Sequence, residues 1–385
     1  MTLNLIADQL VGGKIYPALT QNQNCNFDQQ YPYTVPLRLQ EYCVEHRVPL
    51  TIYSIEEQLP ANSFYPIGVG FFDFSIDYIA LLPTLVRNRL HLGDFKLLFY
   101  YHEGDDPVHI KQRMDSLCNK HGLLHNSYVF VSGNTAAKSL PNFVYFADFE
   151  LWYYQRNRAS PALKIHCESR ERNFTVLNRL HKSWRALAMA DLKYNGILDN
   201  SYWSYCETGE FVDAECAIRI DDISGLRTRT EKFLQSAPYI SDELDHDQRN
   251  DHGTLIPKYH ANSYCNIVME THFDIGGSGT FLTEKTFKPI KHGQMFFIAG
   301  AAGSLQVLRD LGYRVFDSVL DNSYDLETDA TQRWMSLVRS IYFACLDLSQ
   351  LFELCRADIE HNQQLFVSNK ASRLNTLIKE INEHY

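Results

Sequence analysis

The residues best suited to chemistry in this chain of 385 residues are gathered in one stretch, Cys265 to Ile290. Cys265-Asn266-Ile267-Val268-Met269-Glu270-Thr271 reads as a buried strand ending in a carboxylate. Behind a Gly-rich loop, Phe281-Leu282-Thr283-Glu284-Lys285-Thr286-Phe287-Lys288-Pro289-Ile290 reads as a helix start with an acid beside a base. A capping Thr283 leaves the first-turn amides open toward a ligand, where the positive end of the helix dipole and the Lys285 ammonium both favour phosphate. Glu284 is the natural acceptor for a pair of ribose hydroxyls. Glu270 is placed to orient the ribose, the sugar or Lys285, and suits equally well a buried pairing with that lysine. The same run would also serve as an ordinary helix start with solvated lysines. What favours a ligand is the setting, a strand-helix-strand unit with its polar residues at one end, because such sheets bind ligands at the carboxyl ends of their strands.

A second cationic group precedes this one. From Tyr153 to Ala190 there are eight basic residues, including Arg156, Arg158, Lys164, Arg170, Arg172, Arg179, Lys182 and Arg185, against two acids. The strand Phe174 to Leu177 runs into Asn178-Arg179 and then a helix, so Arg179 or Arg185 could reach an anion where that strand meets its helix. A solvated helix face explains the same run. Cys206 to Asp251 swings the other way, with twelve acids against five bases. It contains Asp245-His246-Asp247, which lies in a polar loop without apolar flanks and is read as solvated, so no metal site is expected.

The order acid, short loop, aromatic-x-Thr-Glu-Lys, helical turn, small-residue turn and apolar strand resembles the donor-binding segment of alpha-1,3-fucosyltransferases and other GT-B glycosyltransferases. Its parts here are Glu270, Gly276 to Gly279, Phe281 to Lys285, Lys288, Gly293 and the strand Met295 to Ala299. The chain departs from the fucosyltransferase pattern at Thr271, where Asn is usual, and at Lys288 and Pro289. The resemblance implies an α/β chain of GT-B type, two Rossmann-like domains facing across a cleft. It also implies metal-independent transfer of a hexosyl or pentosyl group, with a nucleoside diphosphate sugar as co-substrate and no other cofactor. Arg179 or Arg185 would then join Lys285, Thr283 and Lys288 around the donor. Leu308-Arg309-x-Leu311-Gly312-Tyr313 and Asp321-x-Ser323-Tyr324-Asp325 look like a block found in proteins of tailed bacteriophages, from which a viral origin and a place in the host cytoplasm are expected.

The elements that must hold these groups follow from periodicity. Thr51 to Tyr53, Ile67 to Phe72, Lys96 to Tyr101, Ser127 to Val131 and Phe143 to Phe146 are strand candidates. Ile76 to Arg89 and Pro107 to His121 look helical, the second with a Pro in its first turn. Alternation of this kind predicts a parallel sheet covered by helices. The length accommodates two domains, drawn here as 1–160 for the acceptor and 161–362 for the nucleotide sugar. A helix over 363–385, with Leu374, Leu377, Ile378 and Ile381 at helical spacing, is expected to pack across the boundary. Two first-half strands end in acid-bearing turns, which makes Glu103, Asp105 and Asp73 candidates for the base that takes the acceptor's proton in an inverting reaction. Each is also a plausible cap or turn former, and Asp105 could cap the helix at Pro107.

Composition sets the outer bounds. With 45% hydrophobic and 21% charged residues the chain is globular, and its net charge of −10 excludes a protein that coats nucleic acid over its whole surface. A local basic cleft stays possible, so the hydroxyl acceptor is either a hydroxymethylated pyrimidine in viral DNA, toward which the phage-like block and the basic run lean, or a saccharide. A nucleotide-binding protein without transferase activity is the remaining alternative. The nine cysteines form no Cys-x-x-Cys pair and fit free thiols in a reducing compartment. No segment reads as a leader or reaches transmembrane length, so a cytoplasmic protein with no membrane partner is expected.

Overall fold

The structure is a computed structural model that describes all residues except 1, 8–9, 12–13, 16–34, 70–71, 160–161, 164, 166–168, 241–255, 275–278 and 369. The chain is α/β with two parallel sheets, as expected of two Rossmann-like domains, and it divides into two compact units. One comprises 1–148 with 369–385, the other 149–368.

The first unit opens with β1 (Leu3–Ala7), a short antiparallel pair β2 (Leu10–Val11) and β3 (Lys14–Ile15), and helix α1 (Val35–His46). There follow β4 (Leu50–Ser54), β5 (Ser63–Gly68), α2 (Thr84–His91), β6 (Lys96–Tyr101), α3 (Pro107–Lys120), β7 (Tyr128–Ser132) and β8 (Phe143–Tyr145). Six strands form one sheet in the order β4-β1-β5-β6-β7-β8, every pairing parallel. Strand β6 has five buried residues in a row, the continuous apolar pattern of a strand covered on both faces. On one face Phe99, Phe130 and Phe143 stack at centroid distances of 5.6 and 5.1 Å.

Two sequence expectations fail here for identifiable reasons. The helix expected over Ile76 to Arg89 forms only from Thr84, because Pro83 lacks an N–H and pushes Leu82 away from helical angles; Pro83 is the N-cap, with ψ 149°. The strand expected over Ile67 to Phe72 is Ser63–Gly68, with Pro66 inside it. A proline argues against a central strand, but the ladder between β1 and β5 ends at Leu5 and Phe64, so Pro66 costs no rung to β1.

The second unit carries α4 (Asp148–Arg156, whose first residue belongs to the first unit), β9 (Arg172–Asn178), α5 (Ser183–Tyr194), β10 (Ser201–Tyr205), α6 (Leu226–Gln235), α7 (Pro257–Ala261) and β11 (Ser263–Met269). Then come α8 (Glu284–His292), β12 (Met295–Ala299), α9 (Ser304–Asp310), α10 (Ala330–Ala344), α11 (Leu348–Leu354) and α12 (Arg356–Val367). Its sheet runs β10-β9-β11-β12, again all parallel, so Tyr205, Asn178, Met269 and Ala299 end on one edge. Both β11 and β12 are buried along their whole length.

The last helix, α13 (Ala371–Glu383), returns to the first unit, where it packs on α1 and β8. The four apolar positions read from its spacing are all buried. Tyr385 meets Phe64 edge to face, and Lys96 Nζ donates to the His384 carbonyl at 2.5 Å. No helix among the described residues is long and apolar enough to cross a membrane.

Candidate functional site

At the edge of the second sheet, β11 delivers Glu270 with none of its surface exposed. A carboxylate taken wholly out of water must be hydrogen-bonded, and this one accepts four bonds. Oε1 takes the Thr283 N–H at 3.0 Å and Thr286 Oγ1 at 2.6 Å, while Oε2 takes the Thr271 N–H at 3.0 Å and Thr283 Oγ1 at 2.7 Å. Glu270 thus ties the strand end to the start of α8. Its partners are the threonines, and the cation beside it is Arg185 rather than Lys285. Nη2 of Arg185 donates to the Glu270 carbonyl at 2.7 Å and to the Met269 carbonyl at 3.2 Å. Burial pulls the Arg185 pKa down and the charge of Glu270 opposes that. Arg185 is 3% exposed and occupied with backbone, so it braces the strand end rather than facing solvent.

Thr283 is the N-cap of α8, its Oγ1 accepting from the Lys285 N–H at 3.4 Å, and Gly293 ends the helix in the left-handed region at φ 70°. The Lys285 ammonium lies 3.0 Å from Glu284 Oε1, 3.1 Å from Thr283 Oγ1 and 3.3 Å from Thr271 Oγ1, with 31% of its side chain exposed. Glu284, by contrast, is only 5% exposed in its side chain. Lys288 is one turn further along, half-buried, and its charge acts on His260 and His292.

A second lysine reaches the same threonine from another helix. Lys182, the residue before α5, donates from Nζ to the Thr271 carbonyl at 2.7 Å. Three helices start at this edge, and their first turns differ. Thr283 caps α8, and the Asp325 carboxylate takes the Leu305 and Gln306 N–H groups of α9 at 3.1 and 3.4 Å. Helix α5 has no side-chain cap, so the positive end of its dipole is not offset by one. The end of β9 and the first turn of α5 also hold polar atoms without hydrogen bonds. The buried Asn178 carboxamide has neither end hydrogen-bonded, and Arg185 Nε and Trp184 Nε1 are buried without partners. Arg179 is exposed directly after β9.

Beside the α5 start is a pocket of about 240 Å³ lined by Lys182, Ser183, Trp184, Glu215, Ala217 and the segment Thr271 to Asp274. Trp184 stacks on Phe273 at 5.2 Å with the rings 28° apart, giving the pocket an aromatic side. Lys182, Trp184, His272, Phe273 and Asp274 were not singled out as site residues from sequence. The signal for the last three was their place directly after a strand-terminal acid. Lys182 was visible only as one member of a basic run.

That run is thinner than its charge count suggests. Arg170 donates to the carbonyls of His260, Ser263 and Gly293 and covers the Phe352 ring at 4.2 Å, so with Arg185 it is a structural cation. Arg156, Arg158, Arg172 and Arg179 are exposed; Lys164 lies outside the described residues. Asp245-His246-Asp247 also lies outside them, as does most of the Gly276 to Gly279 loop. Among the described residues no group of three or more His, Cys, Asp or Glu could hold a metal ion.

In the first unit the three carboxylates have different surroundings. Asp73 accepts from Ser75 N at 2.7 Å and Ser75 Oγ at 2.6 Å, a turn that lowers its pKa and weakens it as a base. Asp105 accepts from the Tyr101 hydroxyl, whose pKa is raised by burial and by that carboxylate. The helix at Pro107 is capped by Asp106, which accepts the Val108 N–H at 3.0 Å. Glu103 is half-buried, with His102 Nε2 3.4 Å away.

No family model matches this chain, and no curated protein matches it. Among solved structures, a similar chain is the DNA-modifying enzyme beta-glucosyltransferase, determined in the presence and absence of its substrate uridine diphosphoglucose. It is 10% identical, with 99% of each chain covered and a TM-score of 0.40. A likeness at that level carries no assignment of activity.

Proposed function

We propose that the second unit binds a nucleoside diphosphate sugar and that the chain is a glycosyltransferase of GT-B type passing the sugar to a hydroxyl. The observation that carries this reading is the meeting of Lys182 and Lys285, from the starts of two helices, on Thr271 beside the pocket. Two ammonium groups and an uncapped helix start suit a diphosphate better than a neutral ligand.

In the reaction the acceptor oxygen bonds to the anomeric carbon, and the bond from that carbon to the diphosphate breaks with its electron pair. The hydroxyl proton passes to a carboxylate. Lys285, Lys182 and the α5 amides offset the charge growing on the leaving diphosphate, fixed in place before the reaction begins. Arg179 and Lys288 complete the cationic surround. Glu284 holds the ribose, exchanging part of its pairing with Lys285 for the hydroxyls. Glu103 is the base in an inverting reaction, since Asp73 is committed to a turn and Asp105 to Tyr101.

The acceptor is a hydroxymethylated pyrimidine in DNA, supported by Arg179, exposed directly after β9 at the edge that carries the site; a saccharide is the alternative. The test is calorimetric titration with UDP, GDP, ADP and dTDP on wild type and Lys285→Ala. One nucleotide binds wild type, and the variant loses about 10- to 100-fold, the worth of one charge-assisted bond. Glu284→Ala raises the donor KM with little change in kcat, because ribose contacts are equal in ground and transition states. If none of the four nucleotides binds, the donor-site reading is wrong. Raising salt from 50 to 200 mM lowers binding of a DNA acceptor steeply and leaves a neutral saccharide almost unaffected, which separates the two acceptors.

A further inference from the structure

Arg333, on α10, is 2% exposed and uses its whole hydrogen-bonding capacity on three separate segments. Nε donates to the Gly300 carbonyl at 3.2 Å, just past β12. Nη1 donates to the Glu327 carbonyl at 2.7 Å and the Thr328 carbonyl at 3.2 Å. Nη2 donates to the Phe273 carbonyl at 2.8 Å and to Asp274 Oδ2 at 3.2 Å, just past β11. A guanidinium has five N–H groups in a fixed planar fork, so every donor is used, and no other side chain could make this set.

The same guanidinium lies over the Phe273 ring at 4.7 Å, on a ring that also stacks with Trp184. Trp334, the next residue, meets Phe273 edge on at 6.1 Å. The segment Thr271 to Asp274 is therefore held at both ends. Lys182, Lys285 and Glu270 bind it at Thr271, and Arg333 binds it at Phe273 and Asp274. Burying a guanidinium with four carbonyls and one carboxylate costs desolvation that well-packed apolar side chains avoid. What the charge supplies is position, at the strand ends where a parallel sheet binds its ligands.

We infer that Arg333 is a positioning residue: through Phe273 and Asp274 it sets the wall of the Trp184 pocket and the place of Thr271, where the two lysines meet. Its effect on nucleotide affinity rests on the proposed function; its effect on the segment does not.

The experiment combines two readouts on Arg333→Lys, Arg333→Met and Asp274→Asn. Amide hydrogen exchange of the unliganded protein reports on 271–274 against the β11 amides, and calorimetry reports the Kd of the nucleoside diphosphate that wild type binds best. Arg333→Met speeds exchange in 271–274 by at least tenfold with β11 unchanged, and weakens nucleotide by about tenfold, roughly 1.4 kcal/mol. Arg333→Lys, with three donors, recovers part of both effects. Asp274→Asn, which takes the charge from the carboxylate that Arg333 meets, gives a two- to threefold change and keeps the test available should Arg333→Met fail to fold. Unchanged exchange in 271–274 in folded Arg333→Lys and Asp274→Asn overturns the inference, as does a lowered melting temperature with an unaltered Kd. Faster exchange in a protein whose wild type binds no nucleotide would leave the positioning role standing and refute the donor site alone.

Discussion

Lowering the pH should unfold the second unit through two histidines that sit far from water. His260 and His292 are 2% and 3% exposed, with ring centroids 5.8 Å apart. His260 Nδ1 meets Gln294 Oε1 at 2.5 Å, whereas neither nitrogen of His292 has a partner. Burial, opposed by the Gln294 bond and aided by the charges of Lys288 and Arg170, lowers the His260 pKa to about 3. Burial, with His260, Lys291 and Lys288 beside it, lowers that of His292 to about 2. Both folded values lie below the unfolded value of 6.5, so the unfolded chain binds more protons once the pH drops beneath 6.5. Stability is therefore full above that pH and falls continuously as it is lowered toward 3. At pH 5 each ring contributes a loss of about 2 kcal/mol, a large share of a typical total of about 5 to 15 kcal/mol. The variant is His292→Leu, which removes a ring that has no hydrogen bond to lose. All four tryptophans, Trp152, Trp184, Trp203 and Trp334, belong to the second unit, so their fluorescence in urea follows that unit alone. Between pH 7.5 and 5.0 wild type should lose about 2 kcal/mol more than the variant. Equal losses, within about 0.5 kcal/mol, would refute the assignment, because carboxylates that titrate in both proteins cancel in the comparison.

Further changes test the frame around the site. Glu270→Gln puts an NH₂ against a backbone N–H whichever way the amide is turned, since each oxygen accepts one such group. It should cost about 1 to 3 kcal/mol in the same urea assay, and an unchanged midpoint would show that the four-bond tie does not hold α8. Gly293→Ala forces a Cβ to 2.8 Å from Ile165 and 2.9 Å from Gln363 at φ +70°, so it should destabilise the unit by about 2 kcal/mol. Full stability there would mean that the C-cap relaxes freely.

The chemistry-bearing segment was legible because each of its features is local. A strand-terminal acid, a capping threonine, a lysine one residue into the helix and a glycine at its end are all neighbours along the chain, and all appear where expected. Strand β6 was read to the residue, since a continuous apolar run bounded by polar turns has one interpretation. The errors arose where a proline had to be interpreted. Pro83 does break a helix, but Pro66 is tolerated in a strand because of where its neighbour's ladder stops, and that is set by Leu5, sixty-one positions earlier, in the last rung, Leu5↔Phe64.

What the sequence determined by itself was the kind of fold and the local placement of Glu270, Thr283, Glu284 and Lys285 at a strand end and a helix start, because periodicity and capping act within a few residues. What only the tertiary structure decided was the allocation of charges. Arg170 and Arg185 look like their exposed neighbours Arg172 and Arg179 in the sequence, yet two are consumed by backbone carbonyls and two face water. Lys182 meets Lys285 at Thr271 across 103 positions of chain, and Arg333 fixes a segment 59 residues before it. Such pairings come from the parallel sheet, which aligns the ends of strands that are remote in sequence, and no local pattern encodes them.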